Sequence, residues 1–143
     1  MFIGTYEHTL DTKNRLIIPA KFRNQLGDKF VITNWMEHSL HAFTQEGWEQ
    51  FMAEISAMKS TRKEVRQFQR FIIGGATDAE FDKTGRVSIP GNLKEYARLE
   101  KNVVIIGTGE NSFEIWDADE FKAYNEATAE DFDEIAENLD FDF

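Results

Sequence analysis

The chain of 143 residues contains no cysteine, only two prolines and no long apolar run. The absence of cysteine excludes a disulfide framework, a thiolate metal site and a cysteine nucleophile, and it fits a reducing compartment. No stretch approaches the roughly eighteen apolar residues that indicate a membrane helix. The N-terminal segment MFIGTYEHTLDTKNR lacks the pattern of a secretory signal. We therefore expect a soluble intracellular protein with no membrane partner.

Basic residues are scarce, at 16 against 26 acidic ones, and the net charge is −10. The acidity is concentrated toward the C-terminus, because the segment from Glu110 onward holds 13 acidic residues and one basic residue, Lys122. The preceding part of the chain holds 15 basic and 13 acidic residues. The overall charge therefore does not exclude nucleic acid as a partner, since the distribution of charge decides which surface is cationic.

The two prolines occupy equivalent places in a phrase that the chain contains twice. The segment DTKNRLIIPAKFR, residues 11–23, corresponds to DKTGRVSIPGNLK, residues 82–94. Its aspartate, arginine, second isoleucine and proline recur unchanged, and the intervening positions keep their character. A chain of this length with such a repeat is typical of two small units that share a core.

Each phrase predicts a turn, an exposed arginine, a strand and a short helix. Asp11 and Asp82 can accept hydrogen bonds from backbone NH groups that follow them, as in an Asx turn. Asn14 and Gly85 are the residue types that best tolerate a positive φ. The apolar residues that follow favour a strand, and the prolines suit the first turn of a helix.

Arg15 and Arg86, with Lys13 and Lys83 beside them, are the candidate binding residues. The alternative is structural, namely a solvated arginine or one that pairs with the nearby aspartate. Recurrence favours function, because a fold does not need a cation at this place twice. A short rigid loop that presents lysine and arginine suits contacts to phosphates and to the edge of guanine. The repeat therefore predicts double-stranded DNA as the partner and these four cations as DNA-binding residues.

The pattern D-x-K-[NG]-R-hydrophobic-x-x-P, present twice, resembles the SpoVT/AbrB-like superfamily in its tandem form. The segments GTYEHTLDTKNRLIIPAKFR and DKTGRVSIP carry the resemblance, which covers nearly the whole chain. It implies a mainly β fold with helices (α+β), in which two swapped-hairpin units form a pseudo-dimer within one chain and the chains form a homo-oligomeric ring. It also implies a regulator of its own operon, the division and cell wall cluster, that binds repeated promoter elements in the cytoplasm at the nucleoid.

Two positions depart from the superfamily pattern. Asn14 stands where glycine is usual, and asparagine is the next best residue for a positive φ. In the second phrase Lys83 precedes Thr84, whereas in the first Thr12 precedes Lys13. The second difference bears on the lysine of the second loop and leaves Arg86 unaffected.

We predict four segments: a first repeat at residues 5–47, a helical linker at 48–75, a second repeat at 76–119 and an acidic helical tail at 120–143. The linker has an apolar stripe at helical spacing, formed by Trp48, Phe51, Met52 and Ile55. It also carries a group of cations: Lys59, Arg62, Lys63, Arg66 and Arg70. These cations could form a second DNA-facing patch, a solvated face, or a surface that pairs with an acidic neighbour.

Two further expectations concern the ends of the chain. In the tail, apolar residues at helical spacing predict a helix docked by one narrow face: Phe132, Ile135, Leu139 and Phe143. At the N-terminus, Phe2, Ile3 and Tyr6 predict an exposed end strand that takes part in head-to-tail assembly.

No catalytic, metal or cofactor site is predicted, and we expect the protein not to be an enzyme. His38 and His41 are better explained as ordinary hairpin positions than as metal ligands, because His41 corresponds to Glu114 in the second repeat. The sequence GTGEN, residues 107–111, lies between two predicted strands and lacks the Lys-Ser/Thr of a phosphate-binding loop, so it predicts a hairpin turn. The main alternative to a DNA-binding regulator is a protein-binding module of the antitoxin type.

Overall fold

A computed structural model describes residues 1–139, which form eight strands, five α-helices and a short 3-10 helix at Met36–His38. The strands are β1 (Thr5–Thr9), β2 (Arg15–Ile17), β3 (Lys29–Asn34), β4 (Leu40–Thr44), β5 (Thr77–Glu80), β6 (Arg86–Ser88), β7 (Asn102–Gly107) and β8 (Ser112–Asp117). The helices are α1 (Ala20–Leu26), α2 (Gln45–Ser56), α3 (Lys63–Gly74), α4 (Gly91–Tyr96) and α5 (Ala118–Glu137). All strand pairs are antiparallel. The predicted α+β class is confirmed.

The strands form a six-stranded sheet in the order β1-β7-β8-β4-β3-β5 and a separate two-stranded ribbon of β2 and β6. Each repeat therefore gives its first strand to the other repeat, since β1 pairs with β7 and β5 pairs with β3. The ribbon likewise takes one strand from each repeat. This exchange confirms the predicted pair of swapped-hairpin units within one chain.

The register of the ladders places a pseudo-twofold axis between the repeats. In the β4–β8 ladder, His41 lies opposite Glu114, the residue to which the repeat aligns it. In the ribbon, Leu16 lies opposite its own counterpart, Val87. Both Leu16 and Val87 are fully buried beneath the ribbon. The two repeats therefore share one core across a common axis, which explains why neither repeat needs a core of its own.

Aromatic rings from distant parts of the chain fill the centre of that core. Phe22 of α1 lies with its ring centroid 5.3 Å from that of Phe113 and 5.0 Å from that of Phe2. Phe2 is only 1% exposed, and its backbone bridges to Gly109. The expectation of an exposed Phe2 was therefore wrong, because this bridge turns the ring inward. Tyr6 is partly buried against the core, whereas Ile3 is exposed.

The linker helices α2 and α3 pack against one side of the sheet through their apolar faces. Ile55 of α2 and Val65 and Ile72 of α3 are buried. The Thr33 hydroxyl donates a hydrogen bond of 2.5 Å to the Ile72 carbonyl, which joins the end of α3 to β3. The predicted helical linker therefore forms two helices in the order that the apolar stripes indicated.

The tail forms helix α5, but its apolar residues are not docked as predicted. Phe132 is 60% exposed and Ile135 is 41% exposed, and no residue of α5 is buried. The first turns of the helix contact the body, where Phe121 and Tyr124 pack on Trp116. A helix of this length extends about 30 Å, and most residues of its C-terminal half are exposed. Phe143, predicted to share this face, lies outside the described residues.

Each helix within residues 1–139 is too short or too polar to span a membrane.

Candidate nucleic-acid interface

The two candidate loops adjoin the β2–β6 ribbon, one between β1 and β2 and the other between β5 and β6. Arg15 is the first residue of β2 and lies opposite Ser88, and Arg86 is the first residue of β6 and lies opposite Ile17. The two arginines are thus offset by two residues, about 7 Å along the ribbon. Nη1 of Arg86 lies 3.6 Å from Oδ2 of Asp11 in the other loop. The structure therefore brings together the two loops that the repeat singled out.

The first loop is an Asx turn built on Asp11. One carboxylate oxygen, Oδ1, accepts hydrogen bonds of 2.9 Å from the backbone NH groups of Lys13 and Arg15. The other oxygen, Oδ2, accepts a hydrogen bond of 2.7 Å from Nε of Arg15. Asn14 has a φ of 58°, as predicted for the turn. The pKa of Asp11 lies below its ordinary value, mainly because the backbone NH of Arg15 donates to the carboxylate.

The second loop repeats this geometry around Asp82. Oδ1 accepts hydrogen bonds of 2.9 Å from the backbone NH groups of Thr84 and Arg86, and it also accepts one from the Thr84 hydroxyl. Oδ2 accepts a hydrogen bond of 2.9 Å from Nε of Arg86, and Gly85 has a φ of 80°. These donors, first of all the backbone NH of Arg86, lower the pKa of Asp82 to about 2.

Both arginines form the ion pair that the structural alternative foresaw, and they are less exposed than predicted. Their side chains are 28% and 29% exposed, for Arg15 and Arg86 respectively. Because Nε is held by an aspartate in each case, each guanidinium is fixed in orientation rather than free in solution. Lys13 and Lys83 are exposed. Whether these four residues bind DNA stays a prediction.

Each Arg15 terminal nitrogen remains without a hydrogen-bond partner among residues 1–139. A guanidinium has five NH donors, of which Nε supplies one. The aspartate therefore aims the planar end of the side chain and leaves its two terminal nitrogens for a bidentate contact. Such a fork matches the O6 and N7 acceptors of guanine or two oxygens of a phosphate.

Two cations beside the loops were not predicted as site residues. Nζ of Lys94, in α4, donates a hydrogen bond of 2.9 Å to Oδ1 of Asn14 in the first loop. Arg23 of α1 lies against Gly85 in the second loop, where its guanidinium occupies the space that a Cβ would need. Arg23 and Lys94 correspond to each other in the repeat, and this correspondence was the signal that could have found them. Each helix thus places a cation on the loop of the opposite repeat.

One of the linker cations, Arg66, has a structural role. In the linker, Nη1 of Arg66 donates hydrogen bonds of 2.9 Å to the carbonyls of Ser60 and Thr61, so this cation closes the turn before α3. Among the described residues, no group of three or more metal-ligating side chains is present. Nδ1 of His41 lies 3.7 Å from the Glu114 carboxylate on the pseudo-twofold axis.

Glu114 is held as a carboxylate on this axis. Burial by itself would raise the pKa of Glu114, but the facing His41 and the Trp116 indole NH, which donates at 2.9 Å, outweigh burial and lower it. Residues 108–111 connect the antiparallel strands β7 and β8, so the segment 107–111 forms the predicted hairpin turn.

Comparison with known proteins agrees with the tandem geometry of the loops. The family model described as "MraZ protein, putative antitoxin-like" matches twice, at residues 1–71 and 72–142. The chain belongs to the MraZ family. The two matches fall on the two halves that exchange strands, so the family's tandem unit and the observed pseudo-twofold arrangement coincide.

Relatives in this family are similar to the chain over its whole length. A protein from Leuconostoc mesenteroides is 57% identical over 99% of both chains, and one from Oenococcus oeni is also 57% identical over 99% of each. A protein from Ligilactobacillus salivarius is 47% identical over 99% of each chain. All three are named "Transcriptional regulator MraZ". These full-length similarities confirm that the chain belongs to the family.

Proposed function

We propose that this chain is a DNA-binding transcriptional regulator that reads repeated promoter elements upstream of its own operon, the division and cell wall cluster. Its relatives in the MraZ family are named transcriptional regulators, which supports a role in transcription. The observation that carries the proposal is the pair of arginines, Arg15 and Arg86, held by aspartates on one ribbon. On this proposal the protein acts in the cytoplasm at the nucleoid and has no enzymatic activity.

The ribbon suits duplex DNA in its dimensions and chemistry. A two-stranded antiparallel ribbon fits the major groove, where the base edges can be distinguished. Arg15 and Arg86 would contact guanine edges, and the exposed Lys13 and Lys83 would contact phosphates on either side. Each loop carries one carboxylate and two cations, so both loops are net cationic although the whole chain is acidic.

A single chain presents too few contacts for a specific regulator. Each good arginine contact is worth about 1–3 kcal/mol of discrimination, whereas specific DNA-binding proteins bind with a Kd of about 10⁻⁸ M or tighter. Several copies on one particle would engage several repeated elements at once and gain affinity through effective concentration. We therefore propose a homo-oligomer, closed as a ring.

Exposed apolar surface on the helices supports such an assembly. Phe71 and Ile73 of α3 are 46% and 42% exposed, and Phe132 and Ile135 of α5 are exposed to a similar or greater degree. The edge strands of the sheet, β1 and β5, each pair with one strand on their inner side, and within residues 1–139 no strand pairs with their outer side. Light scattering should give a mass well above that of a dimer, and a clean 16.6 kDa monomer at micromolar concentration would contradict the assembly.

The division of the chain into 5–47, 48–75, 76–119 and 120–143 is part of the proposal. The first and third segments would carry the DNA-binding loops, and the second and fourth would carry the helices with exposed apolar side chains such as Phe71 and Phe132. Limited proteolysis would test these limits, because cleavage concentrates at exposed junctions with few contacts.

The decisive experiment measures binding of the full chain to the DNA upstream of its gene and to scrambled DNA, across a salt titration. Arg15→Ala should lose selective binding, and Arg86→Ala should weaken it less. Lys122→Ala on α5 is the matched control, because it removes one cation far along the chain from both loops. Arg15 is partly buried and pairs with Asp11. We therefore expect the melting temperature of the Arg15→Ala variant to lie a few degrees below that of the wild type, while the oligomer persists.

Two results would contradict this function. If Arg15→Ala binds the upstream DNA as tightly as the wild type, the arginine loops do not read DNA. If the wild type binds no DNA at low salt and purifies with a bound protein, a protein-binding module of the antitoxin type is favoured instead, which the wording of the family description also suggests. Loss of binding together with loss of the oligomer in Arg15→Ala would assign the arginine a structural role.

A further inference from the structure

The outward face of the β2–β6 ribbon carries two residues that the proposed function has not used. Side chains alternate between the two faces of a strand, and Leu16 and Val87 point into the core. The other face therefore carries the two arginines together with Ile17 and Ser88. Ile17 is 47% exposed, although it is apolar, and Ser88 is also exposed.

The pseudo-twofold axis relates Ile17 to Ser88, just as it relates the two arginines to each other. The arginines are identical in the two halves, whereas this second pair differs, one residue being apolar and the other a hydroxyl. Serine at the equivalent place shows that the ribbon forms without an apolar residue there. The fold therefore does not require an exposed isoleucine at position 17, beside a guanidinium.

The chemistry of the major groove suggests what Ile17 contacts. The base edges present hydrogen-bond donors and acceptors and a single apolar group, the 5-methyl of thymine. Isoleucine can contact that methyl and can pair with no other base feature, whereas a serine hydroxyl can donate to or accept from several bases. We propose that Ile17 contacts a thymine methyl and that the Ile17–Ser88 difference makes each chain read a non-palindromic element.

The register of the ribbon sets the expected spacing. Arg15 and Ile17 are two residues apart on one strand, about 7 Å, which corresponds to about two base-pair steps of 3.4 Å. Ile17 also lies directly opposite Arg86. The thymine should therefore lie within about two base pairs of a guanine read by an arginine, and only in one half of the element. This inference rests on the proposed DNA-binding function.

The test replaces thymine by uracil, which removes only the 5-methyl group, in a duplex that carries a single one of the repeated elements from the upstream DNA. First all thymines in the footprint of the protein are replaced, and then each one singly. The wild type should bind the fully substituted duplex about fourfold more weakly, the effect of one buried methyl, and one single replacement should account for the loss. Ile17→Ser should bind the thymine duplex about as weakly and should show no further loss with uracil.

The reciprocal variant, Ser88→Ile, sharpens the test. It should bind a duplex with thymine in both halves of the element more tightly than the wild type does, by a similar factor. Melting temperatures of both variants should match the wild type, since both positions are exposed.

The outcomes separate this inference from the function on which it rests. Selective binding of upstream DNA by the wild type with equal affinity for thymine and uracil duplexes would overturn the role of Ile17 and leave the function standing. Independent, additive losses from Ile17→Ser and uracil would also overturn it, because two groups in contact should not lose the same interaction twice. Absence of selective binding by the wild type would overturn both proposals.

Discussion

The two arginine loops have the same internal geometry but different surroundings. In each, an aspartate accepts two backbone NH groups and the Nε of the arginine that follows, Asp11 with Arg15 and Asp82 with Arg86. Only Asp11 faces both arginines, because Nη1 of Arg86 approaches it to 3.6 Å. The first aspartate is thus shared between the loops, and the second serves only its own.

The residue at the positive φ also differs between the loops. Asn14 in the first loop accepts a hydrogen bond from Lys94, whereas Gly85 in the second leaves room for the guanidinium of Arg23. The residue at the positive φ therefore matches the cation from the opposite repeat: Asn14 supplies an acceptor for Lys94, and Gly85 lacks the Cβ that would collide with Arg23. The comparison teaches that the turn is a shared local structure, while the tolerance of each position to substitution is decided by its neighbour across the axis.

The largest expected effect comes from Gly85→Ala, which would place a Cβ against Arg23 at a φ of 80°. An L-residue in this region of φ is destabilised by about 1–3 kcal/mol. The free energy of unfolding, measured by urea denaturation, should therefore decrease by an amount within that range. The matched control is the same substitution in an Arg23→Ala background, where the side chain that the added Cβ would meet is absent.

The loss caused by Gly85→Ala should be smaller when Arg23 is also shortened. In the double variant Gly85→Ala with Arg23→Ala, the steric part of the loss is relieved and only the backbone strain remains. Equal losses from Gly85→Ala in the wild-type and Arg23→Ala backgrounds would show that Arg23 moves aside freely, and the difference between the loops would then not depend on it.

The next effect distinguishes the two aspartates. Asp11→Asn keeps an oxygen that accepts the backbone NH groups but loses the acceptor that aims Arg15 and faces Arg86. The ratio of specific to scrambled DNA binding should fall about tenfold, within the range for a base contact, and scrambled binding should strengthen because one negative charge is removed. Asp82→Asn should lower the ratio less, because it releases Arg86 alone. Equal effects would contradict the shared role of Asp11.

A smaller effect is expected from Asn14→Gly. Glycine accepts the positive φ of 58° more easily than asparagine, but the variant loses the acceptor for Lys94. These terms oppose each other, so the free energy of unfolding should change by less than about 1 kcal/mol. Binding to the upstream DNA at low salt should strengthen slightly, since Lys94 is freed from the loop. A loss comparable to that of Gly85→Ala would mean that Lys94 holds the first loop in place.

The smallest expected effect concerns the pKa of Asp82, which is about 2. The Thr84 hydroxyl donates to Asp82, and the first loop has Lys13 at the corresponding place. Thr84→Val should therefore raise the pKa of Asp82, as measured by carboxyl NMR titration, and leave that of Asp11 unchanged. A depressed pKa stabilises the fold above the ordinary value of 3.8 and loses that contribution as the pH falls toward 2. Acid unfolding of the variant should thus begin at a slightly higher pH.

Much of the loops and of the fold could be predicted from the repeat. The Asx turns at Asp11 and Asp82 and the positive φ at Asn14 and Gly85 follow from residue types within five positions of each other. The exchange of strands was predicted only through resemblance to a superfamily, because a hydrophobic pattern does not state which strand pairs with which. The burial of Phe2 was missed for the same reason, since it depends on a bridge to Gly109.

By itself, the sequence determined the local conformation of each loop, because an aspartate reaches only the backbone groups that follow it and few residue types accept a positive φ. The tertiary structure alone decided that Lys94 binds Asn14, that Arg23 fills the space beside Gly85 and that the tail remains undocked past Tyr124. Those contacts join residues far apart in the chain. They exist because the two repeats bury one shared apolar core, which places their strands on either side of a common axis. The hydrophobic effect is non-directional, so the apolar pattern of a short segment does not specify which distant segment it will contact.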